Sequence, residues 1–453
     1  MKNYFLCGLL GVLAVFCGEA AGGVPNTART AVKITDATDK QIVQRFLEHA
    51  DRLGGRITPA YCRRMANDEP EGYTWKILPQ VEMRLTAFEV TGDVKYLDGF
   101  TTVFANMRSA MTKGPDGYLG WYGKPLGLFR NPTKPNLKAD VIITSFRTVD
   151  VLSRFLELVS RDDRLVKRFA AQRSRYVDLM VNHLVKKWTV RGNYADLGAR
   201  GAVYRTHAGL KDVKALLTQP HNKHSKIISG LLGLYRVTGQ SQYMRMAVKL
   251  GVRFKRCLTL RNGHYEWNYW DPAGKWDHHP TRAGQWKHWI GPEHRGGYYS
   301  LSLTQAVLLW RHGLVFDDTD MRRFVKTQLE ATWNGRLDKP KWFRVDRSDG
   351  QLSGRYICPA LAPLDKKIHA FLYTGARQAE RLSNAKHSWQ GGPVAGGWIR
   401  GKFIDRPTAT DKEDIRLTAG KKFLTDPANR KLVQSLNFKV TGKGYKAPPA
   451  PPR

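Results

Sequence analysis

The sequence predicts a mainly α protein, arranged as an (α/α)n toroid or incomplete barrel of helical hairpins with long cleft-forming loops. Apolar residues recur at helical spacing through most of the chain, and strand-like alternation is scarce. Long loops rich in aromatic residues and glycine separate the helical pairs, and loops of this kind commonly carry function in compact domains. A helical solenoid is the alternative, but its repeats would show a tighter period.

The helical periodicity begins at about residue 38 and is clearest in eight segments. These are 41–53, 81–90, 141–159, 176–188, 227–237, 244–258, 301–316 and 321–333. A turn signature joins some of them, because "VTGDVKYL" at 90–97 and "VTGQSQYM" at 237–244 share Val-Thr-Gly and then a tyrosine at the same offset. We expect the glycine to end one helix and the tyrosine to pack on the next. Less regular turns at 158–166 and 314–325 join further pairs.

The two ends of the chain differ in composition from the helical region. Residues 1–20 combine Lys2, an apolar run over 4–16 and small residues around Ala20, which is typical of a cleavable signal peptide. The run is short for a membrane span, so we expect a periplasmic or secreted protein with no stable membrane insertion after signal removal. The helical domain is predicted over 30–440, and a Pro-rich basic tail over 441–453.

Charge restricts the class of partner. The chain has 74 Lys and Arg against 39 Asp and Glu, a formal charge of +35, which favours a polyanionic partner. Export separates the protein from bulk cellular nucleic acid, so we expect an anionic polysaccharide substrate and no nucleic acid. Three widely spaced cysteines (Cys62, Cys257 and Cys358) give no disulfide framework.

Two segments are dense in groups that can do chemistry. In the first, His221, Asn222 and His224 stand at the start of an apolar helix. Capping is the alternative role for them, since asparagine is a good N-cap residue, and the sequence leaves both roles open.

The second segment, 264–299, holds five tryptophans and five histidines. Aromatic faces beside hydrogen-bonding groups suit a sugar-binding cleft, although tryptophans can also cover the end of a helical core. A metal site from His278, His279, His288 and His294 is an alternative, but their spacing matches no zinc signature. The chain also lacks a GxSxG elbow and a phosphate-binding loop, which argues against nucleotide chemistry. We therefore expect a reaction without a metal or another cofactor.

A polyuronate substrate would explain why "EHRGGYYSLSLT" at 293–304 places a cation beside two phenols. β-Elimination removes the C5 proton next to a carboxylate and expels the oxygen at C4. The first step needs a cation or donor beside the carboxylate, and the second needs a proton donor. Asn222, His224, Arg295 and Tyr298 are groups of these types. A tyrosine base needs nearby positive charge to stabilise the phenolate, and Arg295 would supply it.

The chain resembles polysaccharide lyases with an α/α-toroid domain that act on alginate, glucuronan and related uronates. The resemblance rests on the helical hairpins and three short motifs: "NKH" at 222–224, "YEWNYWD" at 265–271 and "HRGGYY" at 294–299. It implies carboxylate neutralisation by Asn222, base or supporting chemistry by His224, charge stabilisation by Arg295 and base/acid chemistry by Tyr298. Tyr299 competes for that last role, and "NKH" lacks the Asn-Asn-His run of some alginate lyases.

Further substrate contacts are expected from polar and aromatic residues around the two segments. They are His221, Glu266, Tyr269, Trp270, His278, His294 and Tyr299. A glycoside hydrolase on the same toroid is the nearest rival enzyme and would need a carboxylate pair. Its candidates are Glu266, Asp271, Asp277 and Glu293. An exported protein that binds polyanions without turning them over is the non-enzyme alternative.

Overall fold

The computed structural model describes residues 32–52, 55–349, 355–374, 391–405 and 414–442. The predicted signal peptide over 1–20 and most of the predicted tail over 441–453 lie outside the described residues. The structure is mainly helical, with 60% helix and 7% strand, as the sequence predicts. None of the described helices combines the length and apolar character that a bilayer crossing requires.

The described residues form sixteen α-helices. In chain order they are α1 (Ala37–Arg52), α2 (Pro59–Asp68), α3 (Leu78–Thr91), α4 (Lys95–Arg108), α5 (Ile142–Val159), α6 (Asp163–Arg168), α7 (Ala170–Asp178), α8 (Lys186–Val190), α9 (His221–Thr238), α10 (Ser241–Arg256), α11 (Gly296–Arg311), α12 (Asp318–Lys326), α13 (Lys366–Tyr373), α14 (Gly391–Ile399), α15 (Ile415–Thr425) and α16 (Pro427–Leu436). Turns of π-helix precede, link or follow some of them at Tyr73–Ile77, Leu179–Val185, Thr327–Ala331 and Arg400–Ile404.

Three small antiparallel hairpins lie in the loops before α5, α9 and α11. They pair β1 (Thr112–Lys113) with β2 (Leu119–Gly120), β3 (Tyr194–Asp196) with β4 (Ala202–Tyr204), and β5 (Thr259–Arg261) with β6 (His264–Glu266). These hairpins shorten the unstructured part of loops that the sequence predicts to be irregular.

The shared turn signature behaves as predicted. Gly92 and Gly239 end α3 and α9 in the left-handed conformation, with φ of 72° and 71°. Each glycine amide donates to a carbonyl four residues earlier, which closes the last turn of its helix. Tyr96 and Tyr243 are buried in the helices that follow. The signature therefore builds the hairpins α3–α4 and α9–α10.

One series of helices forms a continuous path of packing contacts. Helix α3 packs on α5, α5 on α9, and α9 on α11. Helix α11 packs on the 3-10 segment Pro359–Leu364, which contacts Arg400–Ile404, and α14 before that turn packs on α3. Helices α4, α10 and α12 lie against α3, α9 and α11 as their hairpin partners.

Ion pairs link the helices of this path. Glu82 on α3 pairs with Arg147 on α5 and, at 2.7 Å, with Arg400. Arg147 also donates to Asp150 at 2.5 Å, and Asp150 accepts from the Ser229 hydroxyl of α9 at 2.7 Å. Burial opposes ionisation of Glu82, but Arg147 and Arg400 hold its pKa well below the ordinary value. Paired charges therefore connect α3, α5, α9 and the segment after α14.

Candidate active site at the helix N-termini

A pocket lies where α3, α5 and α9 begin. Its wall includes Glu71, Ile142, His207 and Lys223, and its volume is about 520 Å³ including the open mouth. Thr74 and Thr144, whose hydroxyl oxygens lie 2.8 Å apart, join the starts of α3 and α5 beneath it. Because helix N-termini present unpaired N–H groups and a partial positive charge, this end of the helices favours anionic ligands.

Charged groups fix the shape of this pocket. Lys223 pairs with Glu71 at 3.0 Å. Burial alone would raise the pKa of Glu71, but the charge of Lys223 holds that pKa below its ordinary value. Asp140 in the pocket wall is neutralised by Lys187 at 2.5 Å and Arg191 at 2.7 Å. The pocket thus exposes few uncompensated negative charges.

The segment before α11 contributes an aromatic cluster of Tyr269, Tyr298 and His294. The rings of Tyr269 and Tyr298 stack with centroids 5.4 Å apart, and His294 meets them edge-on at 4.7 and 5.5 Å. The Arg295 guanidinium carbon lies 5.4 Å from the centre of the Tyr298 ring. The two predicted motifs "YEWNYWD" and "HRGGYY" are therefore in contact.

The aromatic cluster adjoins the pocket. Burial raises the pKa of Tyr269, and among the charges that act on it are Glu71 of the pocket wall and Arg295. His288 lies between Tyr269 and Trp270, and burial followed by Lys214 lowers its pKa to about 4. The pocket and the cluster together make the candidate site.

The two adjacent tyrosines lie in different environments. Tyr298 is partly exposed in the cluster, whereas Tyr299 is 0% exposed in the hydrophobic core. The Tyr299 ring stacks on Trp267 at 5.5 Å, and its hydroxyl donates to Gln328 at 3.1 Å. The prediction that Tyr299 contacts substrate is therefore wrong, because its ring packs in the core and its hydroxyl is already bonded to Gln328.

His221 and His224 each direct the Nε2 atom of the ring at a protein group. His221 Nε2 lies 3.0 Å from Asp271 Oδ2, and its backbone amide donates to the Tyr269 carbonyl. His224 Nε2 accepts from the Tyr204 amide of β4 at 3.0 Å, and burial lowers the pKa of this imidazole to about 3. Both rings are buried, so they act by orienting the start of α9.

Asn222 lies between these histidines and is 1% exposed. Within the described part of the chain its Oδ1 has no hydrogen-bond partner. Helix α9 begins after Pro220 with no side-chain capping bond, so the capping role considered for Asn222 is wrong. A buried amide without a partner is costly unless a ligand or water satisfies it.

Three other predicted residues lie at the margin or outside the cluster. Trp270 is buried and donates its indole N–H to the Thr218 carbonyl at 2.8 Å, so it supports the loop. His278 stacks on Trp286 at 4.3 Å farther along that loop. Glu266 lies 3.6 Å from Arg261 and from His264 within the β5–β6 hairpin. Trp270 also belongs, with Tyr269, to a small hydrophobic cluster against which Tyr298 packs.

Glu293 is the carboxyl group with the most unusual environment. It is 0% exposed and accepts a hydrogen bond from the Ser302 hydroxyl. Burial raises its pKa to about 8, although Ser302 and Trp267 favour the charged form. Glu293 precedes His294 and Arg295, so it anchors the segment that carries the cluster.

Among the described residues, His221, Cys257 and Asp271 form a group that could hold a metal ion, since one ligand atom of each lies within 4.8 Å of the others. Asp271 is already satisfied by protein donors, with His221 at 3.0 Å and Asn268 at 2.8 Å. The cluster therefore holds its geometry without an ion. Cys62, Cys257 and Cys358 are all free and buried.

Sequence reasoning missed three residues of the pocket wall. Lys223 is the middle residue of "NKH", Glu71 belongs to the turn before α3, and His207 lies in the loop after β4. Helical periodicity would have shown that Lys223 falls in the first turn of α9. The other two come from separate loops, and no local pattern signals their proximity.

We compared the chain with protein-family models, curated protein sequences and solved structures, and none of the three comparisons gave a match.

Proposed function

We propose that this protein is a polysaccharide lyase that cleaves an acidic, uronate-containing polysaccharide of the alginate or glucuronan type by β-elimination. The observation that carries the proposal is the position of Tyr298, a partly exposed phenol with the Arg295 guanidinium 5.4 Å from its ring centre. The pair lies at helix N-termini, where anionic groups bind favourably. The formal charge of +35 supports a polyanionic substrate.

We further propose that the helices form an α/α toroid. The packing path from α3 through α5, α9 and α11 to Pro359–Leu364, Arg400–Ile404 and α14 returns to α3, as the inner ring of a toroid would. The ion pairs of Glu82 with Arg147 and Arg400 join distant parts of that path. In this arrangement the long loops before α5, α9 and α11 surround one open end of the ring.

Each reacting group of an elimination has a candidate in the site. Arg295 and the side-chain N–H of Asn222 stabilise the uronate carboxylate as negative charge spreads from C5. Tyr298 takes the C5 proton and then donates it to the C4 oxygen as the C4–O bond breaks. The electron pair of the C5–H bond becomes the C4–C5 double bond. His224 and His221 hold the start of α9, which carries Asn222.

The contact network supports the proximity of these groups. Tyr269 stacks on Tyr298 and accepts the backbone N–H of His221, the neighbour of Asn222. Gln305 of α11 donates to the His221 carbonyl at 3.3 Å. Gln305 therefore joins the start of α9 to α11 directly, and Tyr269 links the two helices through its backbone carbonyl and its ring.

The burial and the protein contacts of the four carboxylates considered for a hydrolase favour a lyase instead. Hydrolysis requires two carboxyl groups facing one sugar from opposite sides. Asp271, Asp277 and Glu293 are buried at 2% exposure or less. Asp277 accepts from the Thr218 amide and hydroxyl at 2.9 and 2.7 Å, and Glu266 lies beside Arg261. None of the four has the accessible partner that a hydrolase pair requires.

Export to the periplasm or the medium belongs to this proposal, because the substrate is extracellular. The proposal of export rests on residues 1–20, in which Lys2 is followed by an apolar run.

The test is ultraviolet absorbance of the purified protein with mannuronate-rich and guluronate-rich alginate, glucuronan, pectate and glycosaminoglycans. A lyase raises the absorbance, because elimination leaves a double bond conjugated to the carboxylate. Release of reducing ends without absorbance would replace the lyase with a hydrolase. If neither signal is seen and the protein is retained on an immobilised polyuronate, the protein binds polyuronates without cleaving them.

A further inference from the structure

Two exposed tryptophans adjoin the candidate site, each through a contact with one of its members. Trp75 is 42% exposed and Trp289 is 46% exposed, whereas tryptophans in folded proteins are highly buried on average. An isolated exposed apolar residue needs no explanation. These two differ from isolated residues because polar groups of the site hold each indole in place.

Trp75 belongs to the π-helical turn Tyr73–Ile77 before α3. Its indole N–H donates to Glu71 at 3.1 Å, and Glu71 pairs with Lys223 at 3.0 Å in the pocket. The indole is therefore fixed to the same carboxylate that fixes the pocket's lysine.

Trp289 is fixed to the aromatic cluster of the site. Its ring meets His294 edge-on with centroids 5.6 Å apart, and His294 contacts Tyr298. The indole also lies directly over Gly291, where a Cβ would be only 2.1 Å from a ring carbon. Glycine at 291 thus allows the ring to rest on the backbone while nearly half of the residue stays exposed.

The series of contacts therefore has an indole at each end and polar groups between them, among which Arg295 is a cation without an acidic partner among the described residues. This pattern fits a chain of uronate residues, since each pyranose has an apolar face that stacks on an indole and a carboxylate that pairs with a cation. A protein partner would require a continuous apolar surface instead of cations between two separate rings.

Resting on the lyase function proposed above, we propose that Trp75 and Trp289 are sugar-stacking platforms on either side of Tyr298. The site then binds an internal stretch of the polyuronate chain, and cleavage is endolytic. A site for chain ends would need a wall beyond one of the two indoles, and both indoles are exposed.

The experiment compares wild-type protein with Trp75→Ala and Trp289→Ala on the polymer that gives the largest absorbance change, and on its trisaccharide. Loss of one stacking surface should raise KM for the polymer about tenfold with little change in kcat. KM for the trisaccharide should change less, because a short substrate cannot reach both platforms. Phenylalanine at either position should restore part of the affinity, since it retains a stacking face.

Leu417→Ala is the matched control, because Leu417 is an exposed apolar residue on α15, away from the site residues in sequence and contacts. It should leave every kinetic constant unchanged. In parallel, wild-type protein should lower the polymer's viscosity early, when few bonds are broken.

If KM for the polymer is unchanged in both tryptophan variants, the proposal that the two indoles stack on sugars is wrong, although the lyase proposal still stands. Viscosity that falls only in proportion to small unsaturated products would overturn endolytic binding. If wild-type protein forms no unsaturated product, the lyase proposal fails separately. Affinity electrophoresis in polyuronate gels then tests the platforms, and equal retardation of wild-type protein and both variants overturns them.

Discussion

Arg295 and Tyr298 face each other across the first turn of α11, with the guanidinium carbon 5.4 Å from the centre of the phenol ring. Arg295 is the N-cap residue of this helix and has an extended backbone, so its side chain leaves the helix beside the ring one turn later. A cation at this position stabilises the negative charge of a bound carboxylate. The pair explains why glycine, arginine and tyrosine occur together at this helix start.

The first prediction separates the two tyrosines. Tyr298→Phe should lower turnover at least about 100-fold, because the phenol oxygen that moves the proton is lost, and folding should be retained. The measurement is the rate of absorbance increase with polyuronate, together with a thermal melt.

Tyr299→Phe is the matched control. It should retain turnover within a few-fold and lose about 1 kcal/mol of unfolding free energy, because the buried hydrogen bond to Gln328 is removed. The reverse pattern, with an inactive Tyr299 variant and an active Tyr298 variant, would contradict the assignment.

The second prediction concerns Asn222. Asn222→Ala should abolish most turnover, because the amide proposed to bind the uronate carboxylate is lost. It should not lower stability, because the buried Oδ1 has no protein partner among the described residues. Removing an unsatisfied polar group is neutral or stabilising in the free protein. Chemical denaturation and the absorbance assay measure the two effects on the same preparation.

Asn193 offers a comparison with equal burial and satisfied bonds. Its amide donates to the carbonyls of Arg205 and Thr206 at 3.1 and 2.8 Å. Asn193→Ala should therefore cost about 1 to 3 kcal/mol of unfolding free energy. Equal destabilisation by both alanine variants would show that Asn222 has a structural role.

The sequence predicts helices and their turns well, because both depend on local rules. Helical spacing identifies the apolar faces, and Val-Thr-Gly followed by tyrosine predicts the left-handed glycines 92 and 239. The contact between "YEWNYWD" and "HRGGYY" also follows from their closeness in the chain. These features need little knowledge of distant contacts.

Burial and long-range proximity could not be predicted in the same way. Tyr298 and Tyr299 are neighbours, yet a helix turns by about 100° per residue, which places one in the site and the other in the core. Glu71 reaches Lys223 from more than 150 positions away. Such contacts depend on how helices pack, and the sequence alone does not give that packing.

The third prediction tests the ion pairs that join the packing path. Glu82→Ala should destabilise the protein by about 3 kcal/mol, because Arg147 and Arg400 lose a largely buried carboxylate partner. Urea denaturation measures the change. Glu48→Ala removes an exposed glutamate of α1 and should change the unfolding free energy by less than about 0.5 kcal/mol. Equal effects of the two variants would argue against a stabilising role for the Glu82 pairs.

The last prediction concerns Glu293 and pH. Burial raises the pKa of this carboxyl from 4.5 to about 8 in the folded protein, so the unfolded chain releases the proton first as pH rises. The contribution of Glu293 to stability is therefore complete below pH 4.5 and is lost progressively up to about pH 8, with a slope of at most about 1.4 kcal/mol per pH unit. Glu293→Gln, which is always neutral, should remove this slope and be more stable than wild-type protein at pH 8.

Glu330→Gln changes an exposed glutamate and should leave the slope in place. Denaturation of the three proteins from pH 5 to pH 8 provides the comparison. A Glu293 variant whose stability follows the wild-type curve at every pH would mean that the carboxyl is ionised in the folded protein, since a group with equal pKa in both states contributes no pH dependence.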